Sequence, residues 1–183
     1  MDFKLVFDRL LTFFHENNVR YALIGGFALG LHGVSRSTVD IDFLVHRDDL
    51  PKVYFIMSEL GYDCAYNSEN VSQFISPLKV FGEVDFIHAF RDISVNMLQR
   101  VEEKKIFNDS TMIKVLNVED IIGFKVQAIA NDESRKALDL NDIESLIAIH
   151  KTTIDWDILE EYFSLFKLSG IFIEIKRKYL YVE

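Results

Sequence analysis

The sequence holds a single cysteine, Cys64, and only two prolines in 183 residues. One thiol excludes an internal disulfide and any cysteine-rich zinc site, and Cys64 is expected to be a small apolar filler. There are eight glycines, no internal repeat and no low-complexity tract, so a flexible linker is not expected. No apolar run approaches the length needed to cross a bilayer. The opening residues MDFKLVFDRL carry Asp2 where a secretory leader would carry basic side chains, so the expectation is a cytoplasmic protein with no membrane partner. Positive charge is also scarce: 20 Lys and Arg face 29 Asp and Glu, a net charge of -9. That balance argues against a broad basic groove for nucleic acid, where neutralisation of phosphates by Lys and Arg supplies most of the affinity. The one local basic run, EIKRKYLY near the C-terminus, reads as a solvated last helix with one packed face.

What the chain does have is apolar material. Hydrophobic residues make up 49% of it, enough for one sizeable core or a core with a helical appendage. DFKLVFDRLLTFFHEN carries Phe3, Val6, Leu10 and Phe14 at helical spacing, and VRYALIG follows as a short apolar strand ended by Gly25 and Gly26. FALGLHG is a short helix. In STVDIDFLV, Val39, Ile41 and Phe43 alternate with Asp40 and Asp42, the period-two pattern of a strand with one buried face. DDLPKVYFIMSELG predicts a helix with Pro51 in its first turn and Gly61 past its end. VSQFIS and EVDFIHA predict two more strands, and in the second Val84, Phe86 and His88 share one face while Asp85 and Ile87 share the other. After TMIKVL the pattern turns helical. Asn117 is a cap for VEDIIGFKVQAIA, and ESRKALDLNDIESLIAIH and DWDILEEYFSLFKL follow as helices. The expected architecture is α/β (α+β): a mixed part over residues 1–116 and a helical region over residues 117–183.

The stretch LIGGFALGLHGVSRSTVDIDFLV, residues 23–45, is the most informative. Asp40 and Asp42 at alternate strand positions lie about 6 to 7 Å apart on one face. Alone, that pattern reads first as a solvated strand face, and it also fits oxygen ligands for one or two divalent ions. Asp85 has the same apolar flanks in another strand, so a neighbouring strand would bring a third carboxylate to the patch. Three carboxylates this close repel one another, and without a cation at least one has its pKa raised. A hard cation resolves the repulsion; magnesium suits it best, with manganese as the other candidate. The Gly25–Gly26 pair entering a helix lets backbone N–H groups approach a phosphate, and a branched side chain at Gly26 is expected to block that approach. Other motifs fit less well. Leu31 stands where a phosphate loop needs lysine, no G-x-G-x-x-G occurs, and Phe43, Leu44 and Val45 exclude a calcium loop. His32 and His88 lack metal-ligand spacing and read as structural histidines. Arg36, in the loop before the aspartates, is placed either to meet a triphosphate or simply to face solvent.

In these residues, IGGFALGLHG, then RSTVDIDFLV, then EVDFI, the chain resembles the nucleotidyltransferase superfamily that includes DNA polymerase beta. R-S-T-V-D-I-D is particularly similar to bacterial toxin-type transferases related to AbiEii. The resemblance continues through VEDIIGFKVQAIANDESRKALDLNDIESL, where Lys125 corresponds to that group's lysine and Asp139 and Asp142 to its paired acids. Here RKALD separates Arg135 from Asp139, which are adjacent or nearly so in many relatives. Independently of the resemblance, Lys125 shares the apolar stripe of Ile121, Ile122 and Ile129, and Asp142 lies four residues from both Leu138 and Leu146. Such inward charges form a pair or share a ligand, or else they snorkel outward at the edge of the stripe.

The resemblance implies a nucleotidyltransferase-like mixed β-sheet flanked by helices and followed by a C-terminal helical bundle. It implies transfer of a nucleoside monophosphate from a nucleoside triphosphate such as ATP to an acceptor hydroxyl, with pyrophosphate leaving. Asp40 and Asp42 would hold two magnesium ions, and Asp85 would bind the first and accept the proton. Gly25 and Gly26, with Arg36, would hold the triphosphate, while Lys125, oriented by Asp142, would neutralise phosphate charge. The implied acceptor is an RNA end, such as that of tRNA, or a protein, and a toxin role would add an antitoxin partner. Two alternatives stay open. One is a small-molecule transferase of the aminoglycoside or lincosamide kind, whose cationic acceptor an acidic surface would suit. The other is a non-catalytic nucleotide-binding module, against which the three acids in matching contexts argue.

Overall fold

The computed structural model describes residues 1–108 and 111–180. By internal contacts the chain divides into two units, one of Met1–Ala28 with Arg36–Leu116, the other of Leu29–Ser35 with the chain from Asn117 onward. Tyr181, the last residue of the basic run EIKRKYLY, lies outside the described residues.

In the first unit, Asp2 starts helix α1 (Phe3–Glu16) by accepting a hydrogen bond from the Leu5 N–H at 3.1 Å. The helix buries Val6, Phe7, Leu10, Leu11 and Phe14, one stripe at helical spacing. There follow β1 (Tyr21–Ile24), α2 (Gly25–Leu31), β2 (Asp40–His46) and α3 (Leu50–Glu59), the last with Pro51 in its first turn and Gly61 at φ +76° beyond its end. Then come β3 (Asp63–Asn67), β4 (Val71–Ile75), β5 (Glu83–Ala89), α4 (Asp92–Gln99), β6 (Glu102–Ile106) and β7 (Thr111–Val115). The seven strands form one sheet in the order β3-β4-β5-β2-β1-β7-β6. The β2–β5 and β1–β7 pairs are parallel and the rest antiparallel, so the sheet is mixed and flanked by helices, as the sequence implies.

Strand alternation separates an aromatic face from an acidic one. Ile41, Phe43, Val84 and Phe86 are fully buried on one side of β2 and β5. Phe14 meets Phe43 edge-on at 5.4 Å, Phe43 stacks on Phe86 at 5.8 Å, and Phe74 of β4 meets Phe86 edge-on at 5.7 Å. Each such ring contributes about 1.5–3 kcal/mol by burial, so this cluster fixes which way the alternate residues of both strands point.

Several expectations need correction. Val39 is not the first inward residue of β2: it is 80% exposed, because pairing with β5 begins only at Asp40. Cys64 is no core filler; it is exposed on β3, an edge strand whose residues are all exposed. The sequence pattern predicts neither α4 nor strands β3, β6 and β7. DCAYN and EEKKI lie at the two edges of the sheet, so neither needs the alternating apolar pattern that marks a half-buried strand.

The second unit contains α5 (Val118–Asn131), α6 (Lys136–His150), α7 (Trp156–Leu165) and α8 (Ser169–Leu180). Asn117 caps α5 by accepting from the Asp120 N–H at 2.9 Å, and Asp155 caps α7 through the N–H groups of Asp157 and Ile158. Ile122, Val126, Ile143, Leu146, Leu159 and Phe163 form the fully buried core of this bundle. A Cβ on Gly123 would lie 2.9 Å from the Tyr162 ring, so α5 and α7 touch where glycine leaves room. The Tyr162 hydroxyl donates to the buried Asp120 carboxylate there. Among the described residues no helix is long and apolar enough to cross a membrane.

Candidate active site

The parallel register of β2 and β5 sets Asp42 opposite Asp85 and Asp40 opposite Glu83. On the far side of β5, the antiparallel register of β4 sets Gln73 opposite Asp85. Because Phe43 and Phe86 take the other face, the acids share this one. One ligand oxygen from each of Asp40, Asp42 and Asp85 lies within 4.8 Å of the others, and all three residues are half-buried. Further along the same face Leu44 is fully buried and α4 lies against β2, which confines the acidic patch to the beginning of the strand.

The surrounding polar groups hold these carboxylates unequally. Thr38 Oγ1 donates to Asp40 Oδ1 at 2.8 Å, and Gln73 Nε2 donates to Asp85 Oδ2 at 3.0 Å. The other oxygen of Asp85, Oδ1, is buried with no hydrogen-bond partner among the described residues. Burial raises the pKa of Asp85; the Gln73 hydrogen bond opposes this, and the nearby charges of Glu83 and Asp40 add to it. A buried carboxylate oxygen without a donor, beside two further carboxylates, is an all-oxygen ligand set that fits a hard divalent cation such as magnesium or manganese.

The glycine pair abuts this patch. Gly25 has φ +65°, and a Cβ built on it would lie 1.9 Å from Asp42 Oδ2. At Gly26 a Cβ would lie 2.6 Å from Thr38 Cβ and 2.7 Å from its Oγ1. A branched side chain at Gly26 therefore collides first with the threonine that holds Asp40, and the left-handed backbone belongs to Gly25 alone. Arg36 is exposed in the loop between α2 and β2.

In the second unit, Lys125 Nζ lies 2.8 Å from Asp139 Oδ1 and 2.6 Å from Asp142 Oδ2. Arg135 Nε reaches Asp139 Oδ2 at 2.9 Å. The Lys125 side chain is only 10% exposed and the two acids less, so these inward charges are paired with one another and do not snorkel. Burial opposes the charged form of Asp139, but the hydrogen bonds from Arg135 and Lys125 outweigh it and hold its pKa below the usual carboxylate range. Both histidines are buried. His88 is buried, with Nδ1 3.0 Å from the Glu69 carbonyl and Nε2 3.0 Å from Ser72 Oγ. His32 packs edge-on against His150, whose Nε2 donates to the His32 carbonyl at 3.0 Å.

Three residues of the patch do not figure in the sequence reading: Thr38, Gln73 and Glu83. Glu83 was legible, since E-x-D in EVDFIHA places it on the face of Asp85 by the same period that pairs Asp40 with Asp42. Gln73 was not, because its place follows from the register of β4 on β5.

Known proteins resemble this chain in family and in fold. Residues 4–174 match the family described as uncharacterised nucleotidyltransferase, and the chain belongs to that family. No curated protein matches it. Among solved structures, the antibiotic-resistance factor ANT(2'')-Ia is similar over 97% of this chain and 99% of its own, with 15% identity and a TM-score of 0.66. The lincosamide antibiotic adenylyltransferase LnuA, solved with lincomycin bound, is similar over 79% of this chain and 96% of its own, with 17% identity and a TM-score of 0.57. A putative nucleotidyltransferase from Thermotoga maritima is similar over 75% and 90%, with 17% identity and a TM-score of 0.53. At these identities the likeness is one of fold.

Proposed function

We propose that this protein transfers a nucleoside monophosphate from a nucleoside triphosphate to an acceptor hydroxyl. The observation that carries the reading is the convergence of Asp40, Asp42 and Asp85, with ligand oxygens within 4.8 Å of one another, on one face of the sheet. These residues would hold two divalent ions, magnesium or manganese. Bound there, the ions would neutralise phosphate charge and lower the pKa of the attacking hydroxyl. The acceptor oxygen bonds to the α-phosphorus, the bond from that phosphorus to the bridging oxygen breaks, and pyrophosphate leaves with the electron pair. In this reading Asp85, besides binding the first ion, accepts the hydroxyl proton. Gly25 and Gly26 let the Asp42 and Thr38 side chains pack directly on the turn, and in this reading the backbone N–H groups of that turn, with Arg36, hold the triphosphate. For Lys125 the 2.6 Å contact supports the pairing with Asp142, and with Asp139 also at 2.8 Å two carboxylates of its own helical bundle balance its ammonium.

The acceptor implied by the toxin-type resemblance is an RNA end, that of tRNA among them, or a protein, with an antitoxin as a further partner. The net charge of -9 favours a second reading, a small cationic acceptor of the aminoglycoside kind. A protein that consumes nucleoside triphosphates fits the cytoplasm. The test is to incubate the protein with each radiolabelled nucleoside triphosphate and magnesium, together with total RNA, a protein extract or a set of antibiotics. One fraction is expected to take up label and so name the acceptor class. No label in any fraction and no metal-dependent nucleotide binding would contradict the reading.

A further inference from the structure

We infer that Gln73 is a positioning residue for the third carboxylate: its side-chain amide pins one oxygen of Asp85 and leaves the other for a divalent cation. The inference rests on the metal site of the proposed reaction. Its support is geometric. Asp42, Asp85 and Gln73 stand in one row across β2, β5 and β4, so Gln73 reaches Asp85 from the side away from the other two acids. An ionised carboxylate only accepts hydrogen bonds, so the amide nitrogen is the end that faces it, at 3.0 Å from Oδ2. Oδ1, the oxygen Gln73 does not touch, is the buried one with no hydrogen-bond partner among the described residues. Leaving a buried acceptor unmatched is costly, and a cation ligated there offsets the cost.

The chemistry of the residue matters as well. A lysine at position 73 would neutralise Asp85 and compete with the cation, whereas a neutral amide orients the carboxylate and leaves its charge intact. Asp40 is handled in the same way, with Thr38 Oγ1 on its Oδ1 at 2.8 Å. Neutral partners that orient metal ligands set affinity strongly, and their loss costs about 10- to 100-fold.

Manganese binding, followed by electron paramagnetic resonance without nucleotide, tests this apart from turnover. The proteins compared are the parent, Gln73→Met, Gln73→Asn and Asp42→Asn, with Asp85→Asn and the Asp85→Asn/Gln73→Met pair. Gln73→Met keeps the side-chain volume and removes the donor, and Gln73→Asn keeps the amide one methylene short of its partner. The parent should bind manganese and Asp42→Asn should not. Gln73→Met should bind about ten-fold more weakly at an unchanged melting temperature, and Gln73→Asn should also weaken. In the Asp85→Asn background Gln73→Met should change nothing further, because Gln73 acts through Asp85. Parental affinity in both Gln73 variants overturns the inference and leaves the three-acid site standing, as does a full additional loss in the Asp85→Asn background. A parent that binds no manganese overturns the metal site and this inference with it. Should Gln73→Met fail to fold, Gln73→Asn carries the comparison.

Discussion

Gly25 stands where a single added carbon would lie 1.9 Å from Oδ2 of Asp42. The glycine turn and the D-x-D strand, fourteen residues apart along the chain or more, are thus one local structure. Ile24 of β1 is the register partner of Asp42, and the residue after Ile24 meets the carboxylate itself.

Gly25→Ala should therefore strain a left-handed backbone, at about 1–2 kcal/mol, and also push Asp42 out of place. The expected outcome is a lower melting temperature together with loss of manganese binding. Gly26→Val should press on Thr38 and disturb Asp40 instead. If both variants bind manganese like the parent in a titration, the glycines do not shape the acid patch.

Lys125 is held by two buried carboxylates, so Lys125→Ala removes the ammonium from both Asp139 and Asp142. Breaking a buried pair from one side costs about 3–5 kcal/mol, and thermal denaturation should show a loss of that order. Asp142→Asn should cost less, because Asp139 stays 2.8 Å from the ammonium. If Lys125→Ala melts like the parent, the ion pair is not holding α5 to α6.

His88 gives a pH dependence with a definite sign. Burial lowers its pKa below 6.5, and the charge of Arg47 adds to this against the Glu69 carbonyl. The unfolded chain therefore takes up the proton first as pH falls. The stability due to neutral His88 is complete above the unfolded value of about 6.5 and is lost as pH falls through that value toward the lower folded one. Melting temperatures measured from about pH 8 down to about pH 5.5 should fall more steeply for the parent than for His88→Gln. Parallel curves would show that His88 protonates as easily folded as unfolded.

The residues that were legible in the sequence are those whose local pattern carries their role. Asp40 and Asp42 were visible because Ile41 and Phe43 between them are core residues, and Asp85 because Val84 and Phe86 flank it in the same way. Asn117 and Pro51 announced their helix starts by local chemistry alone. Pairing was not legible. Nothing in VSQFIS says that Gln73 will face Asp85 and not the residue beside it, and an edge strand such as EEKKI needs no apolar face to exist. Lys125 showed its inward direction through its spacing from Ile121, Ile122 and Ile129; for Asp142 only Leu146 gave a true signal, since Leu138 is 50% exposed, and the share of Asp139 in the same ammonium emerged only from the packing of α5 on α6.

The central claim is that the three acids serve the transfer of a nucleoside monophosphate, and the fate of two phosphorus atoms tests it most directly. A nucleoside triphosphate radiolabelled at the α-phosphorus, and separately at the γ-phosphorus, is supplied with magnesium and the acceptor fraction to the parent and to Asp42→Asn. The account predicts α-label on the acceptor and γ-label in released pyrophosphate. It also predicts that both fall by more than about 100-fold in Asp42→Asn at a melting temperature close to the parent's, the upper end of what even outer-shell changes at metal sites cost. Transfer of the γ-label to the acceptor, or parental transfer by a folded Asp42→Asn protein, would contradict it.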